Sequence, residues 1–281
     1  MSDSPDDGLK PIAEMPLLEH LRELRNRVVK AGIALFVAVA VCMIFSNHLI
    51  DFLAAPIRQV LSGEQPDSPA DLLYIWLSSP LHSVPGWEVL TEGKASGQLT
   101  IRGSLEGIYT YMRVAFLGGA FIASPVIAFQ VWKFIGPGLF ASERKMVLPL
   151  TFFSTMLFFL GAGFAYFIIM PIAFKFFVTV LDAEALLSID DALRTVVRIM
   201  VAFGLCYQLP VVVWFLARLG LVDHKDLIKG FRYAVVVIFV IAALLTPPDV
   251  ITQFLLGIPL IILYVVGVVV AFFTTTKVRE K

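Results

Sequence analysis

Charge is scarce in this 281-residue chain. Asp, Glu, Lys and Arg make up 16% of it, against roughly a quarter in an ordinary soluble domain. The 22 basic and 22 acidic residues cancel, so no net field draws nucleic acid to it. Only two cysteines occur, Cys42 and Cys206, each alone in an apolar run, which excludes a disulfide framework or a thiolate metal site. The four histidines, His20, His48, His82 and His224, form no HExxH pair. There is no GxSxG elbow, and Gly93-Lys94 lacks the earlier glycine of a phosphate-binding loop. No enzyme activity, metal or cofactor is expected. Residues 1–10 carry three aspartates and no apolar stretch, the opposite of a cleaved secretory signal, so the first apolar run is expected to stay as an anchor.

Apolar sequence is what the chain has in abundance: 58% hydrophobic residues and a mean hydropathy of +0.85. It comes in long runs, which makes lipid the expected solvent. Six membrane segments are predicted: Ala31 to Ile50, Ile108 to Ile135, Val147 to Phe177, Val196 to Leu219, Tyr233 to Leu245 and Val250 to Phe273. Asn47, His48 and Asp51 mark the far end of the first. The apolar run of the fifth reaches only about 20 Å, against a hydrocarbon core of roughly 30 Å. The fold class is thus an all-α membrane protein of six transmembrane helices in a curved bundle, with short fifth and sixth segments.

Fifteen Lys and Arg residues fall on the side of the N-terminus and seven on the other, so both termini are expected to be cytoplasmic. Residues 1–14 form an expected disordered tail and 15–276 a single membrane domain, with a short C-terminal tail at 277–281. Within the domain lie an interfacial amphipathic helix at 16–30 and a long outer loop at 51–107. Alternation in Gln98 to Arg102 hints at a strand in that loop. A second outer loop carries Asp182, Glu184, Asp190 and Asp191. No internal repeat supports a transporter of the inverted-repeat kind.

Three places carry polar groups that the runs do not explain. In the first, Leu17, Leu21, Leu24 and Val28 recur at helical spacing, with Glu19, Glu23, Asn26 and Lys30 on the other face. Glu23 has an ordinary role available there, as the i,i+4 partner of Arg27. The second is the turn from Phe134 to Lys145, where Ser142 can cap the next helix and Glu143 complement its dipole. Phe134, Leu139 and Phe140 make an apolar patch beside that acid, a reasonable peptide-docking surface. The third is the set Gln130, Gln208, Thr246, Asp249 and Gln253 at membrane depth. Asp249 follows Pro247 and Pro248 and can cap the sixth helix, while the glutamines can bond between helices or receive a partner helix.

Together these stretches resemble one family. The run LEHLRELRNR from Leu18 to Arg27 is similar to the opening motif of TatC, the signal-peptide receptor of the twin-arginine protein translocase. Similar too are Ala55-Pro56, Ser124 to Leu139 with Glu143-Arg144, Ala202 to Gly204 with Gln208 to Pro210, and Leu245 to Val250 with Gln253, all in the family's order. The resemblance implies a Sec-independent translocase subunit in the bacterial inner membrane that moves folded proteins, driven by the protonmotive force. Its implied partners are twin-arginine signal peptides, single-span proteins of the TatA and TatB type, and further copies of itself within the lipid bilayer.

By the same resemblance, Glu23 and Glu143 would engage the paired arginines, with Arg25, Phe134, Leu139, Arg144 and Lys145 around them. Gln208, Thr246 and Gln253 would receive partner helices. Pro56, Pro137, Pro247, Pro248 and Asp249 would form turns. The family often carries glutamate where this chain has Gln208, so no intramembrane charge is expected there. The competing expectation is an ion-coupled small-molecule carrier, which requires ionisable groups near the bilayer midplane.

Overall fold

The computed structural model describes residues 17–62, 99–100, 104–135, 147–174, 187–245 and 250–279. The first helix, α1 (Leu17–Ile44), is uninterrupted. The amphipathic stretch and the first membrane segment are therefore one rod. It stops six residues earlier than expected, at a turn about Phe45, where the Ser46 hydroxyl donates to the Met43 carbonyl at 2.9 Å. Leu49 and Ile50 belong instead to α2 (Ser46–Ser62).

Pro56 does not form a turn, contrary to expectation; it lies buried inside α2. A proline within a helix has no N–H to give the carbonyl four residues back, here that of Phe52. The helix continues because a side chain from elsewhere takes up that carbonyl: the Tyr166 hydroxyl donates to Phe52 O. The two rings stack with centroids 4.8 Å apart. In α3 (Ser104–Ile135) the same problem is solved locally. Pro125 orphans the Phe121 carbonyl, and the hydroxyl of adjacent Ser124 donates to it at 2.7 Å.

The third segment, α4, runs from Val147 to Phe174. It includes a π-helical turn at Ala165–Ile169, closed by the Met170 N–H on the Ala165 carbonyl just before Pro171. The fourth segment begins seven residues earlier than expected and is two helices, α5 (Ile189–Cys206) and α6 (Leu209–Arg218). Pro210 cannot donate back to Cys206, so the ladder breaks at Tyr207-Gln208. Next, α6 ends at Gly220, whose φ of 71° suits glycine alone. The Leu221 N–H reaches the Leu216 carbonyl at 3.0 Å and the Gly220 N–H that of Ala217 at 3.1 Å, the paired bonds of a Schellman stop.

The fifth and sixth segments are α7 (His224–Leu245) and α8 (Val250–Arg279). Their candidate spans, 22 residues each, are the shortest of the six. The apolar run of α7 is extended by nine residues of polar helix, so the rod itself reaches about 33 Å. The hinted strand exists as β1 (Leu99–Thr100), paired in parallel with β2 (Leu187–Ser188).

The helices pack as two groups. In the first, α1 lies on α3, and α3 also packs on α4 and α5; in the second, α8 packs on α6 and α7. The main core joins α2, α3, α4, α5, α7 and α8 around Leu53, Ile57, Val114, Ile169, Leu193 and Phe203. A second cluster of Trp132, Leu150, Val211 and Phe215 fills the space between α3, α4 and α6. Elsewhere the surface is apolar: Phe36, Ile44, Leu148, Phe152, Leu244 and Phe273 are all more than half exposed. Such continuous apolar cover is tolerable only in lipid.

Candidate functional site

Glycine sets how α1 meets α3. A Cβ on Gly119 would lie 2.7 Å from the backbone nitrogen of Val39, so only glycine permits the two backbones to approach this closely. At one end of the pair the Tyr111 hydroxyl donates to Asn47 Oδ1 at 2.7 Å. Gly118 in turn faces Cys42, with its Cβ position 2.9 Å from the Cys42 Sγ, so moving three residues up α1 from Val39 moves one residue down α3 and the two helices run antiparallel. Continued the other way, that register sets Glu23 level with the Phe134–Ile135 end of α3, each about 24 Å from the crossing.

Glu23 is not on a solvated face. It and Arg27 continue the half-buried ladder of Ala31, Ala34, Ala38 and Cys42 that faces α3, while Leu21, Leu24 and Val28 point outward, exposed. Asn26 and Lys30, from the same polar set, are exposed as well, so of that set Glu23 is the one described residue turned toward α3. The exposed leucines can face lipid, while the Glu23–Arg27 pair is held against protein. Arg27 places both Nε, at 3.0 Å, and Nη2 on the same oxygen, Oε1, of Glu23. Arg25 is exposed, and Phe134 is half-buried. Leu139, Glu143, Arg144 and Lys145, with Pro137, lie outside the described residues.

Gln208 and Gln253 both bond within the chain. Gln208 Nε2 donates to the Ser154 carbonyl at 2.8 Å, and the Ser154 hydroxyl accepts the Trp132 indole N–H at 2.7 Å. Ser154 therefore ties α3 and α4 to the break between α5 and α6. Gln253 Nε2 donates to the Phe239 carbonyl at 3.0 Å, joining α8 to α7. Thr246, Pro247, Pro248 and Asp249 lie outside the described residues, and α8 begins directly after them.

At the α2 end sits a polar cluster that sequence reasoning missed. Asp190, at the start of α5, is buried, with its side chain 8% exposed. Its carboxylate accepts from the Thr110 hydroxyl at 2.8 Å, from Arg113 Nη1, and from Arg194 Nη2 at 3.2 Å. Beside it the Ser188 hydroxyl donates to the Glu106 carboxylate. Glu106, Thr110 and Arg113 share one face of α3 at spacings of four and three. That spacing was visible in the sequence, but Asp190 read as a loop acid and Arg113 as one of the outer cations. The partner on α5 is 77 residues away in sequence, and only the fold brings it near.

The fold and these features define a multi-pass helical membrane protein with a half-buried acid at one end of a tightly packed helix pair. The family model "Sec-independent protein translocase protein (TatC)" matches residues 19–259. The chain is 33% identical over 270 residues to the TatC protein of Aquifex aeolicus, covering 95% of this chain and 98% of that one. It is 35% identical over 255 residues to that of Magnetococcus marinus, covering 90% and 82%. It is 32% identical over 269 residues to that of Escherichia coli K12, covering 95% and 92%. A crystal structure of the twin-arginine translocase receptor TatC superposes with a TM-score of 0.72 at 33% identity, covering 92% of this chain and all of that one. The chain belongs to the TatC family. It is a translocase component and not an enzyme, and this membership sets aside the ion-coupled carrier.

Proposed function

We propose that this chain is the receptor for twin-arginine signal peptides in a bacterial inner-membrane translocase that exports folded proteins on the protonmotive force. Both termini lie in the cytoplasm, and the helices form a curved bundle. The observation that carries the reading is the family match across residues 19–259, together with an acid held at the end of the α1–α3 pair.

Recognition begins at Glu23. Arg27 already occupies its Oε1 through two N–H groups, so the site is built to take a guanidinium. An incoming arginine binds the second oxygen or displaces Arg27, an i,i+4 partner worth only about 0.3–0.5 kcal/mol. Glu143, on the following turn, takes the second arginine. Phe134 and Leu139 cover the peptide's apolar positions, and Arg25, Arg144 and Lys145 set the local charge. Lysine cannot reproduce the planar fork, which gives the receptor its selectivity.

Partner helices of the TatA and TatB type dock where Gln208, Thr246 and Gln253 lie. One amide N–H of each glutamine is used internally, and their Oε1 atoms are the groups that would accept from a partner helix. Further copies of the chain assemble in the same complex.

The test is site-specific photocrosslinking from positions 134 and 139 to a twin-arginine signal peptide and its twin-lysine variant, in the wild type, Glu23→Ala and Glu143→Ala. Crosslinks that fade with the lysine swap and with either alanine support the receptor and its two acids. Equal crosslinking throughout overturns the assignment of both residues.

A further inference from the structure

The first turns of α7 carry three cations, Lys225, Lys229 and Arg232, at spacings of four and three, so they fall within about 60° of one another around the helix. All three are exposed. Among the described residues none is ion-paired, and Arg232 bonds only the hydroxyl of adjacent Tyr233, at 3.1 Å. The packed face of α7, with Ile238 and Ala242 buried, points elsewhere. On the cationic side the helix continues upward through Val236 and Val240, both more than half exposed. One strip of α7 thus passes from a row of positive charge to bare apolar surface.

Two physical considerations single this strip out from ordinary cytoplasmic basicity. The apolar run above it spans only about 20 Å, against a core of roughly 30 Å, so Arg232 and Lys229 are drawn to phosphate depth instead of standing in water. The exposed cations of α1, Arg22, Arg25 and Lys30, are by contrast spread over about 140°.

We infer that this strip binds an anionic phospholipid, its phosphate held by Lys225, Lys229 and Arg232 and its acyl chains lying along Val236 and Val240. Tyr233 stands at the boundary beneath the Arg232 guanidinium, 4.8 Å from its ring centroid, where an interfacial aromatic belongs. The site is independent of the signal-peptide reading and needs only that α7 crosses a membrane.

The test uses the full chain, released from vesicles of phosphatidylglycerol and phosphatidylethanolamine and examined by native mass spectrometry for retained lipid. The wild type should retain phosphatidylglycerol selectively, and soluble glycerol phosphate should not displace it. The variant K225Q/K229Q/R232Q should lose that selectivity at least about tenfold, given about fivefold per cation at a membrane surface. The charge-matched variant R22Q/K30Q/K133Q should keep it. Equal loss in both variants, or loss in neither, overturns the site. So does a strip variant that keeps its lipid but loses a co-purifying single-span protein, which would make the face a protein-docking surface. Should the triple variant not fold, the three single glutamine changes carry the same comparison, each losing about fivefold.

Discussion

Tyr166 repairs what Pro56 breaks. Its hydroxyl donates to the Phe52 carbonyl, the acceptor that Pro56 cannot reach, and so ties the π-helical turn of α4 to α2. Two irregularities far apart in sequence are thereby one feature.

Tyr166→Phe should destabilise the protein by about 1 kcal/mol, the net worth of the part-buried hydrogen bond it removes. Pro56→Ala restores a backbone N–H to that carbonyl, so it should soften the loss. A double-mutant cycle by thermal unfolding in detergent should show coupling between the two positions; strict additivity would deny the pairing.

Asp190→Ala should cost about 3 kcal/mol, because it strands Arg113 in a largely buried site. Arg194→Ala should cost less than about 1 kcal/mol, since Arg194 is half exposed. Similar losses for both substitutions, measured by the same unfolding assay, would mean that the cluster is not centred on Asp190.

Gly119→Val should push α1 off α3, because its side chain would meet the Val39 backbone. A disulfide between the native Cys42 and Gly118→Cys, whose Cβ would lie 3.5 Å from that of Cys42, forms readily only when the pair is seated and should drop sharply in that background. Gly163→Ala, with open space around it, should leave the crosslink unchanged.

Glu23→Gln should weaken discrimination between twin-arginine and twin-lysine peptides, leaving the share that Glu143 supplies. Arg27→Gln should keep it and raise peptide affinity about twofold, the equivalent of releasing one i,i+4 pair. A fluorescence-anisotropy titration distinguishes these outcomes. Weaker binding by Arg27→Gln would mean that Arg27 holds Glu23 in place and does not compete for it.

Gln208→Leu should cost about 1 kcal/mol by removing the bond to the Ser154 carbonyl. Gln208→Glu should cost at least as much when ionised, because a carboxylate has no N–H to offer that acceptor. Unfolding midpoints of the two variants against the wild type check this.

The sequence by itself determined that this is a six-segment membrane protein and which family it belongs to, because long apolar runs and ordered local motifs need no partner to be read. It also located Glu23, Gln208 and Gln253 as polar groups needing an explanation. What only the tertiary structure decided was who answers whom. Pro56 read as a turn because the proline's missing N–H is a local fact, whereas its remedy, Tyr166, lies 114 residues from the Phe52 carbonyl it bonds. Asp190 and Arg113 were counted on the same outer side without being joined, since helical spacing orders one helix and says nothing about which face of another it meets. Glu23 could be set only on the face opposite the leucines, because the pattern distinguishes apolar from polar without naming the neighbour of either face. In lipid the apolar face turns outward, and the acid is held against protein, where a guanidinium can find it.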